Sequence, residues 1–269
     1  MLTPEQRSEF QQLGLVRLPS AIDPADVARM CDSLWNTLAK HGVKREAPET
    51  WTAERVSGIQ EVSRSDAFAA LGSAAVCSSL DDLLGPGGWE LPPRWGQPLV
   101  TFPTERKWEV PHASWHLDAP ASPAPPKVPG VLLFAYLAPV LERGGGTVML
   151  AGSHRIVEKF AAGLGATDEG RSADVRIKLN RAEPWLRALW SRDDKVDRVR
   201  RFMTEGAMVR GVPLRVMEMT GEPGDVIIWH PWLFHCATSN CTSQPRLMLR
   251  QPINRREVGQ KNDQDCYPR

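Results

Sequence analysis

The chain has 269 residues, of which 42% are hydrophobic and 24% are charged, and its 33 basic and 32 acidic residues leave a formal net charge of +1. This composition is typical of a folded globular protein, and it excludes a disordered chain, a collagen-like repeat and a bundle of membrane spans. A net charge so close to zero provides no overall field that would attract nucleic acid or an anionic membrane, so any charge preference must be local.

The first forty residues predict two helices separated by a short strand. Thr3 is suited to cap the first helix, which has proline at its first position, and Gly14 is suited to end it. Residues 15–19 fit a short strand. The second helix is predicted to begin at Asp23 and to end at Gly42, because its apolar residues recur at the spacing of one helical face. We expect that face to pack against a sheet.

The middle and the end of the chain predict strands. After a helical stretch over residues 66–84, short segments divided by proline and glycine follow, and several are the continuous apolar runs expected of strands buried on both faces. These segments are residues 99–102, 131–137, 147–150, 214–219, 226–229 and 246–253. Many short strands after leading helices favour a two-sheet sandwich or a jelly roll.

Two regions interrupt this strand pattern. Residues 119–130 contain five prolines and predict an extended segment without regular structure. Residues 155–213 are predicted to be helical and polar, and residues 171–215 hold twelve basic and six acidic side chains. Two interpretations of this basic excess stay open. It is either a solvated helical face or a lid that presents basic side chains such as Arg198, Arg200 and Arg201 to an anionic substrate.

The chemistry of the sequence centres on the His-x-Asp pattern of His116 and Asp118, which we place on a strand. Positions i and i+2 of a strand project to the same side, so the imidazole and the carboxylate face one space. A pattern this short is common by chance and needs a distant third ligand. His230 and His235 both compete for that place, and we favour His235. Two histidines and one carboxylate suit non-haem Fe(II), because they leave open positions for a bidentate cosubstrate and O₂.

Our preference for His235 rests on an arginine downstream. His235 lies eleven residues before Arg246, on the next predicted strand. An oxoacid cosubstrate with a far carboxylate needs a fixed cation, and the planar guanidinium offers a bidentate contact that lysine cannot make. Arg250 lies on the same strand face by period 2, so it stays as the second candidate for this contact.

Four segments in order give the chain a family resemblance. They are LTPEQRSEFQQLGLVRLPSAIDPADVARM, WHLDAP, GGGTVMLAGSHR and GDVIIWHPWLFHCATSNCTSQPRLML. Together they resemble the Fe(II)/2-oxoglutarate oxygenases of the phytanoyl-CoA dioxygenase family over nearly the whole chain. The resemblance implies a mainly β fold with flanking helices, a double-stranded β-helix (jelly roll, cupin-like). We expect residues 1–269 to form a single oxygenase domain, with the helical and basic insertion at about 155–213.

The same resemblance assigns the site residues. It implies that His116, Asp118 and His235 are the iron ligands and the catalytic centre, and that Arg246 binds the C5 carboxylate of 2-oxoglutarate. Two further cosubstrate-binding positions depart from the family. Phe134 stands where a tryptophan is frequent beside the cosubstrate, and Ala237 stands where a small hydroxyl residue is frequent.

The resemblance also implies the reaction. Fe(II) is the metal, and 2-oxoglutarate and O₂ are the cosubstrates. The reaction oxidises a C–H bond of a small, largely apolar molecule, with or without an anionic group, and it releases succinate and CO₂. Halogenating relatives have a small residue at the position of Asp118, which opens a metal site for halide. The carboxylate of Asp118 leaves no such opening, so hydroxylation or a related C–H oxidation is implied.

Other functions remain as alternatives. The same three ligands could hold Zn²⁺ in a hydrolase or isomerase, but Arg246 has no purpose there. Cys236 and Cys241 flank His235, but their spacing matches no zinc pattern. A non-catalytic cupin-like protein would be expected to have lost a ligand, and none is missing. Arg246 and Arg250, with the basic insertion, suggest a nucleic-acid-demethylating oxygenase, against which the near-neutral charge stands.

The cysteines and the absence of a secretion signal bear on the cellular compartment of the protein. Five scattered cysteines, with no CxxC pair and no secretion signal, predict a reduced, cytoplasmic compartment. The near-neutral charge and the family resemblance predict a small-molecule substrate and no nucleic-acid partner, and the lack of a long apolar run predicts no membrane role. The sequence leaves the oligomeric state open.

Overall fold

Two antiparallel sheets form the centre of the molecule. The computed structural model describes residues 1–123, 129–165 and 168–256. Its strands are β1 (Leu15–Leu18), β2 (Gln97–Thr101), β3 (Gly130–Tyr136), β4 (Val148–Ala151), β5 (Ala207–Val209), β6 (Val212–Glu218), β7 (Val226–Trp229), β8 (His235–Cys236) and β9 (Arg246–Asn254). One sheet has the order β1-β7-β3-β9-β2 and the other β5-β6-β4-β8, and neighbouring strands are antiparallel throughout. The predicted jelly roll, mainly β with flanking helices, is confirmed.

Helices surround the two sheets. The α-helices are α1 (Pro4–Leu13), α2 (Pro24–Lys40), α3 (Ala74–Leu84), α4 (Ser153–Ala161), α5 (Ser172–Ala182) and α6 (Pro184–Leu189). Shorter turns are the 3-10 segments Pro48–Thr50, Gln60–Arg64 and Asp66–Gly72 and the π-helix Arg200–Glu205. The ends predicted for α1 are confirmed, because the Thr3 side chain accepts a hydrogen bond from the backbone N–H of Gln6 and Gly14 adopts the left-handed conformation with φ 80°.

The predicted helical stretch over residues 66–84 is broken rather than continuous. Ser73 has an extended backbone, with φ −57° and ψ 159°, and its side chain caps α3 by accepting from the N–H of Val76. The preceding Gly72 lies against the Trp95 ring, where a Cβ would stand 2.7 Å from the nearest ring atom. The chain therefore turns at this point so that both halves reach the core.

The larger sheet is buried on both faces, as its continuous apolar runs predict. Along β9, Leu247 and Leu249 pack with the helices α2 and α3, whereas Met248 faces the space between the sheets together with Phe134 and Trp229. Burying a side chain of this size contributes about 1.5–3 kcal/mol relative to exposing it. The inner face of this sheet forms the floor of the site described below.

Residues 155–213 hold most of α4, the helices α5 and α6, the π-helix and the strand β5. The lid hypothesis predicts that Arg198 faces an anionic substrate. In the structure Arg198 is buried, and its guanidinium donates to the carbonyls of Val110, Pro111, Leu189 and Ser191 at 2.7–3.0 Å. The lid hypothesis is therefore wrong for Arg198, because its donors are already used within the protein. The extent of the domain, residues 1–269, stays a prediction.

Some sequence expectations fall outside the part of the chain that the structure describes. These are residues 124–128 of the proline-rich segment and Cys266. Among the described helices, none is by itself long and apolar enough to cross a bilayer. The segments Asp66–Gly72 and Ala74–Leu84 reach that length and composition only when taken together across a 47° bend.

Candidate metal centre

The centre of the site is a single pair of backbone hydrogen bonds. His116 and His235 form an isolated antiparallel bridge, in which each N–H donates to the carbonyl of the other at 3.1 Å. The prediction that the His-x-Asp segment is a strand is wrong beyond this bridge. The partner strand β8 is only two residues long, and Asp118 lies in a bend where its N–H donates to the carbonyl of Pro231 at 3.1 Å.

The bridge brings three potential ligand atoms together. One nitrogen each from His116 and His235 and one oxygen of Asp118 lie within 4.8 Å of one another. The imidazole ring centroids are 4.1 Å apart, and His235 Nε2 is 3.6 Å from Asp118 Oδ2. Bonds from these atom types to a metal are about 2.0–2.2 Å long. Only a small side-chain movement would therefore let all three contact one ion.

Backbone carbonyls select the same tautomer for the neutral form of both rings. His116 Nδ1 is 2.9 Å from the carbonyl of Ser114, and His235 Nδ1 is 3.0 Å from the carbonyl of Leu233. A carbonyl only accepts, so each Nδ1 carries the proton and each Nε2 keeps its lone pair, as in metal-binding histidines. Burial also lowers the pKa of His235, and this favours the neutral form that binds metal.

The competing histidine lies elsewhere. His230 Nδ1 accepts a hydrogen bond from the backbone N–H of Trp232 at 3.0 Å. The backbone N–H of His230 donates to the carbonyl of Gly14 at 2.8 Å. Its ring lies 5.3 Å from that of His154, beside α1. Of the two candidates, the structure brings His235 and not His230 to His116 and Asp118.

Arg246 is fully buried on β9 and faces the inner space. Its Nη1 donates to the carbonyl of Gly145 at 2.5 Å, while its Nε has no hydrogen-bond partner and no carboxylate pairs with it in the described residues. Burial, reinforced by the charge of Arg55, lowers the pKa of Arg246 to about 10, and the guanidinium is still cationic at neutral pH. Glu218 lies near enough to raise this pKa but makes no ion pair with the guanidinium among the described residues. A buried cation with so weak a counter-charge is costly, so this position favours an anion.

Other unpaired polar atoms lie on the same inner face of the larger sheet. Thr101 lies directly opposite Arg246 in the sheet, and its buried Oγ1 has no partner. Tyr136 and Trp229 also face the inner space, and neither the Tyr136 hydroxyl nor the Trp229 Nε1 has a partner. Native structures leave few buried polar groups unsatisfied. Such a set on one face indicates a place for a polar ligand.

Arg55 extends this row by one residue. Arg55 forms an isolated antiparallel β-bridge with Thr101, on the edge of β2 that faces away from β9. The side chains of Arg55, Thr101 and Arg246 therefore share one face of the sheet. Arg55 is exposed and lines a cavity of about 420 Å³ that reaches His116. Sequence reasoning missed Arg55, because no regular strand or motif marks its place next to Arg246.

The two remaining predicted site residues have different surroundings. Phe134 is buried on the inner face of β3, opposite Arg250 in the ladder, and its ring is 5.4 Å from that of Trp229. Ala237 lies two residues after His235 and lines the same cavity of about 420 Å³. Both therefore border the space between the metal ligands and the arginines.

The cysteines next to His235 do not join the ligand group. The Cys236 thiol lies 3.2 Å from the carbonyl of Ala113, and the Cys241 thiol lies 2.9 Å from the carbonyl of Arg106. Burial raises the pKa of Cys236 to about 11, which disfavours the thiolate that a metal would need. This arrangement gives no support to a thiolate site.

Comparisons with known proteins identify the family and the fold of the chain. A family model described as phytanoyl-CoA dioxygenase (PhyH) matches residues 10–248. The structure of the epimerase SnoN in complex with Fe³⁺, alpha ketoglutarate and nogalamycin RO is similar, with a TM-score of 0.55 and 18% identity, over 95% of this chain and 86% of that chain. No curated protein sequence matches the chain.

Two further solved structures share the fold. The non-heme alpha ketoglutarate dependent carbocyclase SnoK from nogalamycin biosynthesis has a TM-score of 0.59 and 14% identity, over 94% of this chain and 84% of that chain. HygX from Streptomyces hygroscopicus, with nickel and 2-oxoglutarate bound, has a TM-score of 0.54 and 15% identity, over 95% of this chain and 88% of that chain. At such identities these similarities establish the fold alone.

Proposed function

The chain belongs to the phytanoyl-CoA dioxygenase family, and from this premise we propose that it is an Fe(II)- and 2-oxoglutarate-dependent oxygenase that oxidises a C–H bond of a small molecule. Hydroxylation is the outcome that we expect. The retained Asp118 supports it, since the open metal position used by halogenating relatives is then filled by a carboxylate.

The donor set supports iron as the metal. His116 and His235 would contribute Nε2 atoms and Asp118 a carboxylate oxygen, which is the 2-His-1-carboxylate set of non-haem Fe(II) oxygenases. When bound, Fe(II) with 2-oxoglutarate supplies the activation of O₂, and succinate and CO₂ are released. The carbonyls of Ser114 and Leu233 hold the two imidazoles in the required tautomer before any metal arrives.

The observation that carries the proposal is the unpaired, buried Arg246. A dianionic cosubstrate would supply the missing counter-ion through its C5 carboxylate, and the hydroxyls of Thr101 and Tyr136 could donate to the same carboxylate. Arg55 would add a second positive charge from the side of the open cavity. A zinc hydrolase has no use for this arrangement, so it favours the oxygenase.

Apolar side chains of the inner face would keep water from the reacting atoms. Phe134 and Trp229 pack against each other, and the Trp229 ring contacts that of His235 at 4.6 Å between centroids. We propose Phe134 and Ala237 as secondary contacts of the cosubstrate, which they would make through van der Waals packing. Exclusion of water protects a reactive centre from side reactions.

The substrate is proposed to be a small molecule. HygX has been solved with hygromycin B and SnoN with nogalamycin RO, which are small molecules. The cavity beside His116 is lined by three basic side chains, Arg55, Arg106 and Lys107, and by the acidic Glu54 and Glu109, and Arg106 pairs with Glu54 at 3.1 Å. This lining favours a substrate whose apolar C–H region is joined to a polar or anionic group.

Metal-dependent turnover of 2-oxoglutarate tests the proposal. We expect the protein loaded with Fe(II) under anaerobic conditions to form succinate when O₂ is admitted, and the protein loaded with Zn²⁺ to form none. His116→Ala should abolish succinate formation. His230→Asn is the matched control, because the asparagine amide oxygen can accept the Trp232 N–H in place of His230 Nδ1 and succinate formation should persist. Equal turnover in the His116 variant would contradict the assignment.

A further inference from the structure

The second arginine of β9 contacts a proposed metal ligand directly. Arg250 Nη2 lies 3.0 Å from Asp118 Oδ2, and its Nη1 donates to Gln97 Oε1 at 3.2 Å. Gln97 and Phe134 are the neighbours of Arg250 across the sheet, on β2 and β3. The guanidinium thus joins the edge of the larger sheet to the carboxylate of the metal centre.

We propose that Arg250 is a positioning residue that holds the Asp118 carboxylate in place for the metal, and that Gln97 in turn holds Arg250. This inference rests on the proposed function, since it assumes that Asp118 is a ligand. It gives Arg250 a role distinct from the cosubstrate contact for which it was the second candidate.

The three ligands differ in how the fold fixes them. The rings of His116 and His235 are each held by a carbonyl two residues earlier in the chain. Asp118 lies in a bend outside both sheets and has no such local support in the residues that the structure describes. The contact from Arg250 supplies that support from a strand far away in the sequence.

One carboxylate can serve both partners. An ionised carboxylate offers about four acceptor positions on its two oxygens, so a hydrogen bond from Arg250 leaves room for a metal bond. Arginine suits this place better than lysine, because its planar fork can reach Asp118 and Gln97 at once and it stays charged at any physiological pH. Hydrogen-bonded partners of ligating carboxylates typically change metal affinity or activity by about 10–100-fold when they are removed.

Two effects of Arg250 on the metal oppose each other. Its hydrogen bond orients Asp118, which strengthens binding, while its positive charge repels a divalent cation, which weakens binding. The half-buried guanidinium, 27% exposed in its side chain, is partly screened by solvent, and this reduces the repulsion. We therefore expect orientation to outweigh repulsion.

Binding of Co²⁺ alone, without cosubstrate or substrate, measures this directly. We expect Arg250→Met to raise the Kd for Co²⁺ by about 10–100-fold and to change the visible absorption spectrum of the bound Co²⁺, which reports the arrangement of its ligands. Arg250→Lys should recover part of the affinity, because it keeps the charge but not the planar fork. Gln97→Leu should produce a smaller rise than Arg250→Met.

Arg200→Met is the control, because Arg200 is exposed and pairs with Glu205 rather than with a proposed metal ligand. We expect it to leave the Kd for Co²⁺ unchanged. Arg250→Met with wild-type Co²⁺ affinity and spectrum, or with tighter binding, would overturn the inference while leaving the proposed function intact. A wild-type protein that binds no Co²⁺ would overturn the proposed function, and this inference with it. Thermal unfolding of each metal-free variant shows whether it is folded. If Arg250→Met is not folded, the Co²⁺ affinities of Arg250→Lys and Gln97→Leu test the inference instead.

Discussion

His116 and His235 come from distant parts of the chain, yet each donates its N–H to the carbonyl of the other, and their rings lie 4.1 Å apart. The same β8 residue that pairs with His116 also pairs with Met149 of β4. The smaller sheet therefore sets the position of both imidazoles together. A movement of the His116 segment relative to β8 would change the spacing of the two rings.

Arg246 provides the first prediction. Arg246→Met should raise the 2-oxoglutarate concentration needed for half-maximal succinate formation by at least about 30-fold, because losing one partner of a buried charged pair costs on the order of 2–5 kcal/mol. Isothermal titration of the metal-loaded variant with 2-oxoglutarate measures the effect. If this variant kept normal affinity for 2-oxoglutarate and Arg250→Met lost it, the contact with the C5 carboxylate would have to be assigned to Arg250.

Arg198 provides a prediction for stability. Arg198→Met should lower the free energy of unfolding by on the order of 3 kcal/mol, because several buried carbonyls lose a charged donor. Arg200→Met is the control, since Arg200 is exposed and, among the described residues, its side chain pairs with Glu205 alone, and it should cost less than about 1 kcal/mol. Urea unfolding of both variants checks this. Equal effects would contradict the role given to Arg198.

His154 makes the stability depend on pH. Burial lowers its pKa to about 4, against a weaker opposing effect of its contact with the Gln11 carbonyl, whereas an unfolded histidine titrates at about 6.5. The folded state thus binds fewer protons than the unfolded state between these pH values. The contribution of neutral His154 to the free energy of unfolding is therefore fully present above about pH 6.5 and is lost as the pH falls towards 4.

The matched variant for this effect is His154→Gln, whose amide nitrogen can donate to Gln11 without titrating. The charged neighbour Arg155 and the nearby ring of His230 remain in both proteins. We expect the loss of unfolding free energy between pH 6.5 and pH 4 to be smaller in the variant by at most roughly 3 kcal/mol. Parallel pH profiles of wild type and variant would contradict the pKa assigned to His154.

Features of the fold that depend on neighbouring residues could be predicted from the sequence. The caps of α1 and the bounds of β7 follow from residues within one turn or one strand. The pairing of β8 could not be predicted, because two residues between turns carry no periodic signal and the strand is defined by its pairing with the distant β4 and His116. The close approach of Gly72 to the Trp95 ring, next to the break at Ser73, likewise involves residues distant in the sequence.

The candidate site divides in the same way. His116, Asp118, His235 and Arg246 could be selected from their residue types and spacing, together with the family resemblance. The contact of Arg250 with Asp118 and the place of Arg55 beside Thr101 depend on pairings across the sheet, which a linear pattern does not contain. Arg198 was misjudged for a related reason, since a basic run does not reveal which of its members is buried.

The central claim is that one metal and 2-oxoglutarate bind together at His116, Asp118 and His235. Anaerobic titration of the protein with Fe(II) and then 2-oxoglutarate measures it through the visible metal-to-ligand charge-transfer absorption of the chelated cosubstrate. We predict a band that requires both components, saturates at one 2-oxoglutarate per chain and is absent in His116→Ala. A wild-type protein that binds Zn²⁺ tightly and gives no band with Fe(II) and 2-oxoglutarate would contradict the oxygenase assignment.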